Sequence, residues 1–277
     1  MINIRINGIT CSCNKNEKLL MVARRNNIFI PTLCHSDAFP GQGCCRLCVV
    51  EVTENNRTKV VVSCMYPVRH EIDVVTDSPK IQNHRKMIIA MMRSRAPNSE
   101  IIAKLSKKYG ADDLILSKPV GDKCILCGLC VRACDAVGAG SVVTRALLKR
   151  LAGMGCAYPV LGAGAISMIG RGVTKKVSTP YKEPSDVCIG CCACANVCPT
   201  GAIEVINTDT TRTIWNKSFK LVVCKECGCV LGTDKEVRYA SQRVGQEPIF
   251  LCPDCRNKQA MMDTAKSVSQ NNKSNSK

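Results

Sequence analysis

One cysteine phrase occurs twice in the sequence: Cys124-Ile-Leu-Cys-Gly-Leu-Cys-Val-Arg-Ala-Cys134 and Cys188-Ile-Gly-Cys-Cys-Ala-Cys-Ala-Asn-Val-Cys-Pro199. In both copies the cysteines follow the spacing C-x2-C-x2-C-x3-C. Three thiolates at this spacing hold one iron–sulfur cube, and the fourth cysteine reaches a second cube. Steps of three, three and four residues fit a cube better than a single tetrahedral ion. The duplication therefore predicts two [4Fe–4S] clusters in one electron-transfer module.

The two phrases are expected to exchange their fourth ligands, as bacterial ferredoxins do. The predicted ligands are, for the first cube, Cys124, Cys127, Cys130 and Cys198, and for the second cube, Cys188, Cys191, Cys194 and Cys134. Gly128 and Cys192 occupy equivalent positions, where a small residue lets the backbone approach the cube. Pro199 ends the second phrase, as in bacterial ferredoxins, whereas Asp135 takes that position in the first.

The two copies differ in the chain that follows them. The second copy leads directly into Gly201-Ala-Ile, but the first reaches the matching Gly164-Ala-Ile only after a detour bounded by two near-repeats of Val-Gly-Ala-Gly type. This comparison predicts an insertion at about 141–164. Inside it, apolar residues recur at helical spacing: Val143, Leu147, Leu151 and Met154. The insertion is either a tolerated surface excursion or a basic amphipathic helix that docks a partner.

Composition favours metal binding in a reducing compartment. Cysteine accounts for 22 of the 277 residues, which in a short secreted chain would indicate disulfides. The N-terminus has no basic segment followed by an apolar one, so a signal peptide is not expected. There is also no uncharged apolar run of about 18 residues that could span a membrane. Clustered C-x2-C pairs in this context predict metal sites in the cytoplasm.

The formal net charge of +17 does not by itself indicate nucleic-acid binding. Metal-bound thiols are deprotonated, so four sites with four thiolates each would bring the net charge to about +9. No aromatic-rich RNA-binding pattern or helix-turn-helix signal accompanies the basic residues. The sequence therefore predicts an acidic partner or simple solubility as the role of this charge.

The first 78 residues predict a small mixed sheet crossed by one helix. Alternating isoleucines at 2–6 precede Asn7-Gly8, a strong hairpin signal. A short helix is predicted over 17–25, and further strands at 49–52, 59–62 and 72–74. Cys11 and Cys13 continue the alternation of the second strand, so they are expected to be small core residues.

A [2Fe–2S] site is predicted in this segment at Cys34, Cys45, Cys48 and Cys64, with the spacing C-x10-C-x2-C-x15-C. The motifs Pro-Thr-Leu-Cys-His at 31–35 and Gly-Cys-Cys-Arg-Leu-Cys-Val-Val-Glu-Val at 43–52 resemble the N-terminal domain of an iron–sulfur subunit family. This family is shared by respiratory complex I (its large "G" subunit), NAD-linked formate dehydrogenases and [FeFe]-hydrogenases. In its pattern a ligand immediately precedes arginine, which implies Cys45 rather than Cys44.

The resemblance continues through Gly-Arg-Gly at 170–172 to about residue 206. It implies an α+β chain with a β-grasp [2Fe–2S] domain at 1–78, a helical bridge at 79–118 and a bacterial-type 2[4Fe–4S] domain at 119–210. The family often binds a further cluster in the bridge through one histidine and three cysteines. No cysteine lies between Cys64 and Cys124, so His70 and His84 are expected to be ordinary surface or packing residues.

Two further C-x2-C pairs follow near the C-terminus. They are formed by Cys224 with Cys227 and by Cys252 with Cys255, and they predict an all-sulfur tetrahedral site for zinc or a single iron in a zinc-ribbon-like domain at 218–260. The polar segment 261–277 is predicted to be a disordered tail. Six cysteines remain without a predicted metal: Cys11, Cys13, Cys44, Cys156, Cys192 and Cys229.

No catalytic residue is assigned, because the sequence contains no dinucleotide-binding glycine motif, no P-loop and no Ser/His/Asp group. Whether the chain is itself an enzyme is left open. The resemblance implies an electron-transfer subunit of a cytoplasmic hetero-oligomeric oxidoreductase, between a flavin subunit that binds NAD(P)H and a separate catalytic subunit. Larger family members carry an additional molybdopterin or hydrogen-cluster domain, and neither is expected in this sequence. The alternatives are a free-standing polyferredoxin carrier and a redox-sensing nucleic-acid-binding regulator.

Overall fold

The computed structural model describes residues 1–39, 41–114, 116, 122–138 and 164–274. These form two compact units. Of the described residues, the first unit comprises 1–39, 41–114, 116, 122–137, 166–178 and 193–203, and the second comprises 138, 164–165, 179–192 and 204–274. Except for its last residue, the predicted insertion at 141–164 lies outside the described residues.

A five-stranded mixed sheet opens the first unit. Its strands are β1 (Ile2–Ile6), β2 (Ile9–Cys13), β3 (Val49–Glu54), β4 (Arg57–Val62) and β5 (Asp73–Val75), in the order β2-β1-β5-β3-β4. Strands β1 and β5 are parallel and the other neighbours are antiparallel. Asn7 and Gly8 have positive φ angles of 50° and 83°, which is the conformation of a tight two-residue hairpin turn. The predicted hairpin is confirmed.

The core of this sheet confirms the predicted burial of the second strand. Helix α1 (Leu19–Arg25) contributes Leu20 and Val22 to a core that also contains Ile4 and Ile6. Cys11 and Cys13 face the same core and are each 1% exposed. The two cysteines are therefore packing residues, as their alternation predicted.

Two helices follow the sheet within the segment 79–118. Helix α2 (Pro79–Arg95) is capped by Ser78, whose hydroxyl accepts a hydrogen bond from the Ile81 N–H. Helix α3 (Glu100–Tyr109) ends at Gly110, which has a left-handed φ of 61°. A serine N-cap with proline at the first position and a glycine C-cap are standard helix boundaries.

A second hydrophobic core, here called the bridging core, joins these helices to both cysteine-rich regions of the first unit. Its buried members are Leu33, Cys34, Cys45, Leu47, Ile89, Ala90, Ile102, Ala111, Cys127 and Leu129. The helical bridge is therefore more than a spacer. It is the packing surface that the [2Fe–2S] ligand loop and the first cysteine phrase share.

The first unit is completed by short elements around the two phrases. They are helix α4 (Leu129–Gly138), the hairpin strands β6 (Ser167–Ile169) and β7 (Lys176–Ser178), and the single-turn helix α5 (Ala193–Asn196). Helix α4 begins within the first phrase and α5 within the second, so both phrases change from a loop to a helix part-way along.

Over residues 204–274, the second unit has an antiparallel four-stranded sheet followed by two α-helices. The strands are β8 (Val205–Asn207), β9 (Thr211–Ile214), β10 (Lys217–Val223) and β11 (Val230–Thr233), in the order β11-β10-β9-β8. They are followed by helices α6 (Asp234–Val244) and α7 (Pro253–Ser274). Within the described part of the chain, no helix has both the length and the apolar character needed to cross a bilayer.

Helix α7 differs from the disordered tail that composition predicted for 261–277. The helix continues to Ser274, so the prediction was wrong for residues 261–274. A polar composition does not exclude a helix. Lysine, glutamine, alanine and methionine are good helix formers, and the segment 256–262 consists largely of such residues.

Candidate iron–sulfur and metal sites

The four predicted [2Fe–2S] ligands lie together at one end of the first sheet. Strands β3 and β4 pair in a register that places Val49 opposite Val62, so Cys48 and Cys64, which flank this pair, meet at the strand ends. Cys34 and Cys45 come from the loop before β3. All four side chains are buried, with 3% exposure or less.

The four thiols form two pairs. The Cys34 thiol donates to Cys45, and this hydrogen bond, with the backbone N–H groups of Leu33 and Leu47, lowers the pKa of Cys45 to about 5. In the other pair the Cys64 thiol donates to Cys48 and lowers the pKa of Cys48 to about 7. A [2Fe–2S] rhomb needs two thiolates on each iron, so two adjacent pairs fit it.

The structure distinguishes Cys45 from its neighbour Cys44. The sulfur of Cys45 accepts the N–H of Leu33 at 3.5 Å, and the Cys45 N–H donates to the Cys34 sulfur at 3.3 Å. Cys44 is exposed, and its thiol lies 3.7 Å from the side-chain oxygen of Gln42. Backbone N–H groups directed at sulfur are typical of cluster ligands, and only Cys45 of the two has them.

Arg85 supports this ligand loop, although no sequence motif identified it. Its guanidinium is 3% exposed and donates to the carbonyl oxygens of Leu47 at 3.1 Å, Val49 at 2.9 Å and Thr76 at 2.9 Å. Two of these carbonyls flank Cys48. A signal was present in the sequence, because Arg85 lies four residues from both Ile81 and Ile89 on the buried face of α2.

The predicted ligands of the first cube also converge within the first unit. Electrostatic interactions connect Cys124, Cys127, Cys130 and Cys198. Burial raises the pKa of Cys127 to about 11 and that of Cys130 to about 12. Metal binding would have to deprotonate these thiols. Cys127 also shares the bridging core with Cys45, so the two predicted sites are adjacent.

Both phrases contain residues with a left-handed backbone conformation at equivalent positions. The sequence comparison had paired Gly128 with Cys192 but had not singled out the second equivalent pair, Leu126 and Gly190. In the first phrase Leu126 and Gly128 have positive φ angles of 55° and 73°, and in the second Gly190 and Cys192 have 74° and 57°. The equivalence of Gly128 and Cys192 is thus reproduced in backbone geometry. Left-handed residues turn successive N–H groups toward one point, a geometry that binds anionic sulfur.

The predicted ligands of the second cube are divided between the two units. Cys134 and Cys194 belong to the first unit, and Cys188 and Cys191 belong to the second. The ligand set of the second cube therefore stays a prediction.

The beginning of the second phrase is fixed to the C-terminal sheet. The Thr233 hydroxyl donates to the Ile189 carbonyl at 2.5 Å, and Arg212 donates to the Gly190 carbonyl at 3.1 Å. Thr233 also accepts from the Glu236 N–H, which completes a capping box at the start of α6. No sequence pattern indicated this arrangement, because the contacts join residues more than 20 positions apart.

Gly190 provides a direct test of this contact. A β-carbon at Gly190 would lie 2.8 Å from the Phe219 ring and 2.9 Å from the Thr233 methyl, in addition to the strain of its positive φ. Gly190→Ala is expected to destabilise the second unit by about 2–5 kcal/mol and to lower the iron content of the purified chain. Denaturant unfolding and iron analysis measure the two effects.

Gly245→Ala is the matched control for this substitution. Gly245 also has a positive φ and lies in the second unit, but nothing is within 4 Å of the added β-carbon. It should cost only about 1 kcal/mol and leave the iron content unchanged. Equal effects of the two substitutions would show that backbone strain alone, and not the contact with Phe219, limits position 190.

The C-terminal cysteines form a compact group of thiols. The sulfur atoms of Cys224, Cys227, Cys229 and Cys252 all lie within 4.8 Å of one another, and those of Cys227 and Cys252 are 3.7 Å apart. Tetrahedral zinc with Zn–S bonds of about 2.3 Å requires sulfur separations of about 3.8 Å. The group therefore fits a single metal ion.

Cys229 lies in this group although the spacing predicted it to be spare. Its carbonyl accepts the Cys224 N–H at 2.8 Å where the turn joins β10 to β11, so the two residues face each other across the turn. Counting C-x2-C pairs could not reveal this proximity. The predicted ligand Cys255 is also adjacent, since its side chain interacts with those of Cys252, Cys227 and Cys224.

The backbone favours a thiolate at Cys224. The N–H groups of Cys252 and Cys227 lower the pKa of Cys224 to about 6, and the Cys252 N–H lies 3.3 Å from its sulfur. A cysteine that is deprotonated near neutral pH is a ready metal ligand.

Two known domain families match the chain. Residues 1–79 match the 2Fe-2S iron-sulfur cluster binding domain, and residues 123–202 match the 4Fe-4S dicluster domain. The mixed α/β chain thus contains ferredoxin-type domains of both kinds, and the resemblance predicted from the cysteine motifs is confirmed.

The chain is similar to subunits of NAD(P)-linked enzymes. It is 26% identical to the HndD subunit of the NADP-reducing hydrogenase of Solidesulfovibrio fructosivorans over an alignment that covers 73% of this chain and 36% of the relative. It is 25% identical to the alpha subunit of the NADPH-Fe(3+) oxidoreductase of Geobacter sulfurreducens, covering 73% of this chain and 24% of the relative. The chain thus spans only about a third of the length of these curated relatives, or less.

A further relative belongs to an NADH-quinone oxidoreductase. The 75 kDa polypeptide of the NADH-ubiquinone oxidoreductase of Reclinomonas americana is 27% identical over 35% of this chain and 14% of the relative. The similarity therefore extends from a hydrogenase subunit to a subunit of an NADH-ubiquinone oxidoreductase.

The fold is similar to that of a chain in the crystal structure of an NAD+-reducing [NiFe]-hydrogenase in the H2-reduced state. The TM-score is 0.53 and the sequence identity is 22%, and the match covers 73% of this chain and 86% of that chain. At this identity the likeness concerns the fold alone.

Proposed function

We propose that the protein is the iron–sulfur electron-transfer subunit of a cytoplasmic NAD(P)H-linked oxidoreductase complex. It relays single electrons between a flavin subunit and a separate catalytic subunit. The observation that carries this proposal is the bridging core, which packs the [2Fe–2S] ligand loop and the first cysteine phrase together in one unit. Two adjacent cluster sites in a shared core are the arrangement that a fixed electron relay requires.

The proposed cofactors are one [2Fe–2S] cluster, two [4Fe–4S] clusters and one zinc ion. The first unit would then begin with a β-grasp domain, and the second would carry a zinc-ribbon-like knuckle. The proposed ligands are Cys34, Cys45, Cys48 and Cys64 for the [2Fe–2S] cluster; Cys124, Cys127, Cys130 and Cys198 for the first cube; Cys188, Cys191, Cys194 and Cys134 for the second; and Cys224, Cys227, Cys252 and Cys255 for zinc. Cys229 is an additional candidate for the zinc site.

Iron–sulfur clusters at these sites supply reversible one-electron storage. The protein contributes a rigid, buried thiolate frame and backbone N–H groups directed at sulfur. Examples are the N–H of Leu126 at 3.4 Å from the Cys124 sulfur and that of Ala202 at 3.3 Å from the Cys198 sulfur. Such hydrogen bonds stabilise the more negative, reduced state and so tune the reduction potential.

The names of the relatives support the proposed partners. One is a subunit of an NADP-reducing hydrogenase and another a subunit of an NADPH-Fe(3+) oxidoreductase. A chain that conducts electrons within such an enzyme needs a flavin subunit to exchange the hydride pair of NAD(P)H for single electrons. A hetero-oligomer is therefore part of the proposal.

The proposal is tested by purifying the tagged chain anaerobically from its native cells. We expect it to co-purify with a flavoprotein, and we expect NADH or NADPH to bleach the visible absorbance of the complex but not that of the isolated chain. A monodisperse monomer with intact clusters and no partner would instead favour the free-standing carrier. Salt-sensitive DNA binding that depends on the clusters would favour the regulator.

A further inference from the structure

Arg132 connects the two cluster sites of the first unit. It lies on α4 between the predicted cube ligands Cys130 and Cys134, but its side chain extends to the [2Fe–2S] loop. Its Nη2 donates to the carbonyl oxygen of Cys34 at 2.7 Å, and its Nε donates to the carbonyl oxygen of Gly128 at 3.4 Å. One guanidinium thus joins the backbones of both ligand loops. Arg132 and Cys34 are 98 residues apart in sequence.

The surroundings of Arg132 make its charge effective. The side chain is buried, with 9% exposure. Buried charges are screened far less than exposed ones. Iron-bound thiolates carry net negative charge, so a buried cation beside both sites is complementary to them.

The loops that Arg132 joins also touch elsewhere. Gly128 of the first phrase approaches the [2Fe–2S] loop so closely that a β-carbon there would lie 3.3 Å from the Gln42 side-chain oxygen. Cys45 and Cys127 are both buried in the bridging core. The contact through Arg132 is therefore part of a continuous interface between the two sites.

We infer that Arg132 is a positioning residue for electron transfer between the [2Fe–2S] site and the first cube. Its hydrogen bonds set the separation of the two ligand loops, and its charge favours the reduced state of both centres. The inference rests on the proposed function, because it requires both clusters to be present.

The test is an anaerobic redox titration followed by EPR on the full chain. Arg132→Gln removes the charge, so the midpoint potentials of both the [2Fe–2S] cluster and the first cube should fall below those of the wild type. Arg57→Gln is the matched control, since Arg57 is an exposed arginine on β4. It should leave both potentials unchanged.

A second variant separates charge from geometry. Arg132→Lys keeps the charge but lacks the planar fork that binds two carbonyls. We expect near-native potentials but an altered magnetic coupling between the two reduced centres in pulsed EPR. Unchanged potentials in Arg132→Gln overturn the inference. If Arg132→Gln loses iron, its potentials cannot be compared with those of the wild type, and Arg132→Lys decides. A magnetic coupling in Arg132→Lys equal to that of the wild type then overturns the inference. Failure of the proposed function is seen separately, as missing cluster signals in the wild type.

Discussion

Replacing Cys45 by serine is expected to abolish the [2Fe–2S] EPR signal, whereas replacing the adjacent Cys44 should preserve it. Cys45 is buried, accepts the hydrogen bond of the Cys34 thiol and receives backbone N–H groups. Cys44 is exposed and directed at Gln42. Serine oxygen is a poor replacement for thiolate at iron. The measurement is EPR of the dithionite-reduced full chain, with iron analysis.

Cys44 and Cys45 are adjacent in sequence, so the two substitutions test which single cysteine is the ligand. Both [4Fe–4S] signals should persist in Cys44→Ser, which controls for general damage. A chain with Cys44→Ser that lacks the [2Fe–2S] signal, or a chain with Cys45→Ser that keeps it unaltered, would show that the cluster is not held by the buried thiol at position 45.

The second large effect is expected from removal of the C-terminal metal. Structural zinc contributes about 10–16 kcal/mol of binding energy in small metal-dependent domains, which is comparable to the total stability of about 5–15 kcal/mol of a typical domain. Cys224→Ser should therefore unfold the segment 218–260 and reduce its metal content. Hydrogen exchange of this segment and zinc analysis measure the result.

This substitution should also affect the second cube while sparing the [2Fe–2S] cluster. The turn that carries Cys224 and Cys229 joins β10 and β11, and these strands provide Phe219 and Thr233, which contact Gly190 and Ile189 of the second phrase. Loss of the turn removes this support. Native hydrogen exchange and a full equivalent of metal in Cys224→Ser would contradict the assignment of a structural ion.

Local features of the chain were predictable because their chemistry is local. The turn at Asn7-Gly8 and the alternating burial of Cys11 and Cys13 each depend on residues that are neighbours in sequence. The ligand spacing of the [2Fe–2S] site also identified four cysteines that the structure brings together. Short-range patterns therefore carried most of the correct predictions for the first unit.

Contacts between distant segments were not predictable in the same way. Arg85 and Arg132 each reach a cysteine loop from a helix, over 38 and 98 residues respectively, and no periodicity specifies such a pairing. Cys229 joins the C-terminal thiols only because β10 and β11 pair next to it. Helix α7 shows the opposite case, since helix propensity was present locally but composition suggested disorder.

Spin quantification during stepwise anaerobic reduction shows whether this chain conducts single electrons through three clusters. Full reduction should give about three unpaired spins per chain, one from a [2Fe–2S] cluster and two from [4Fe–4S] clusters. The [2Fe–2S] spin and one cube spin should show magnetic interaction, because Cys45 and Cys127 lie close together. A single spin per chain, or three spins without any interaction, would contradict the account.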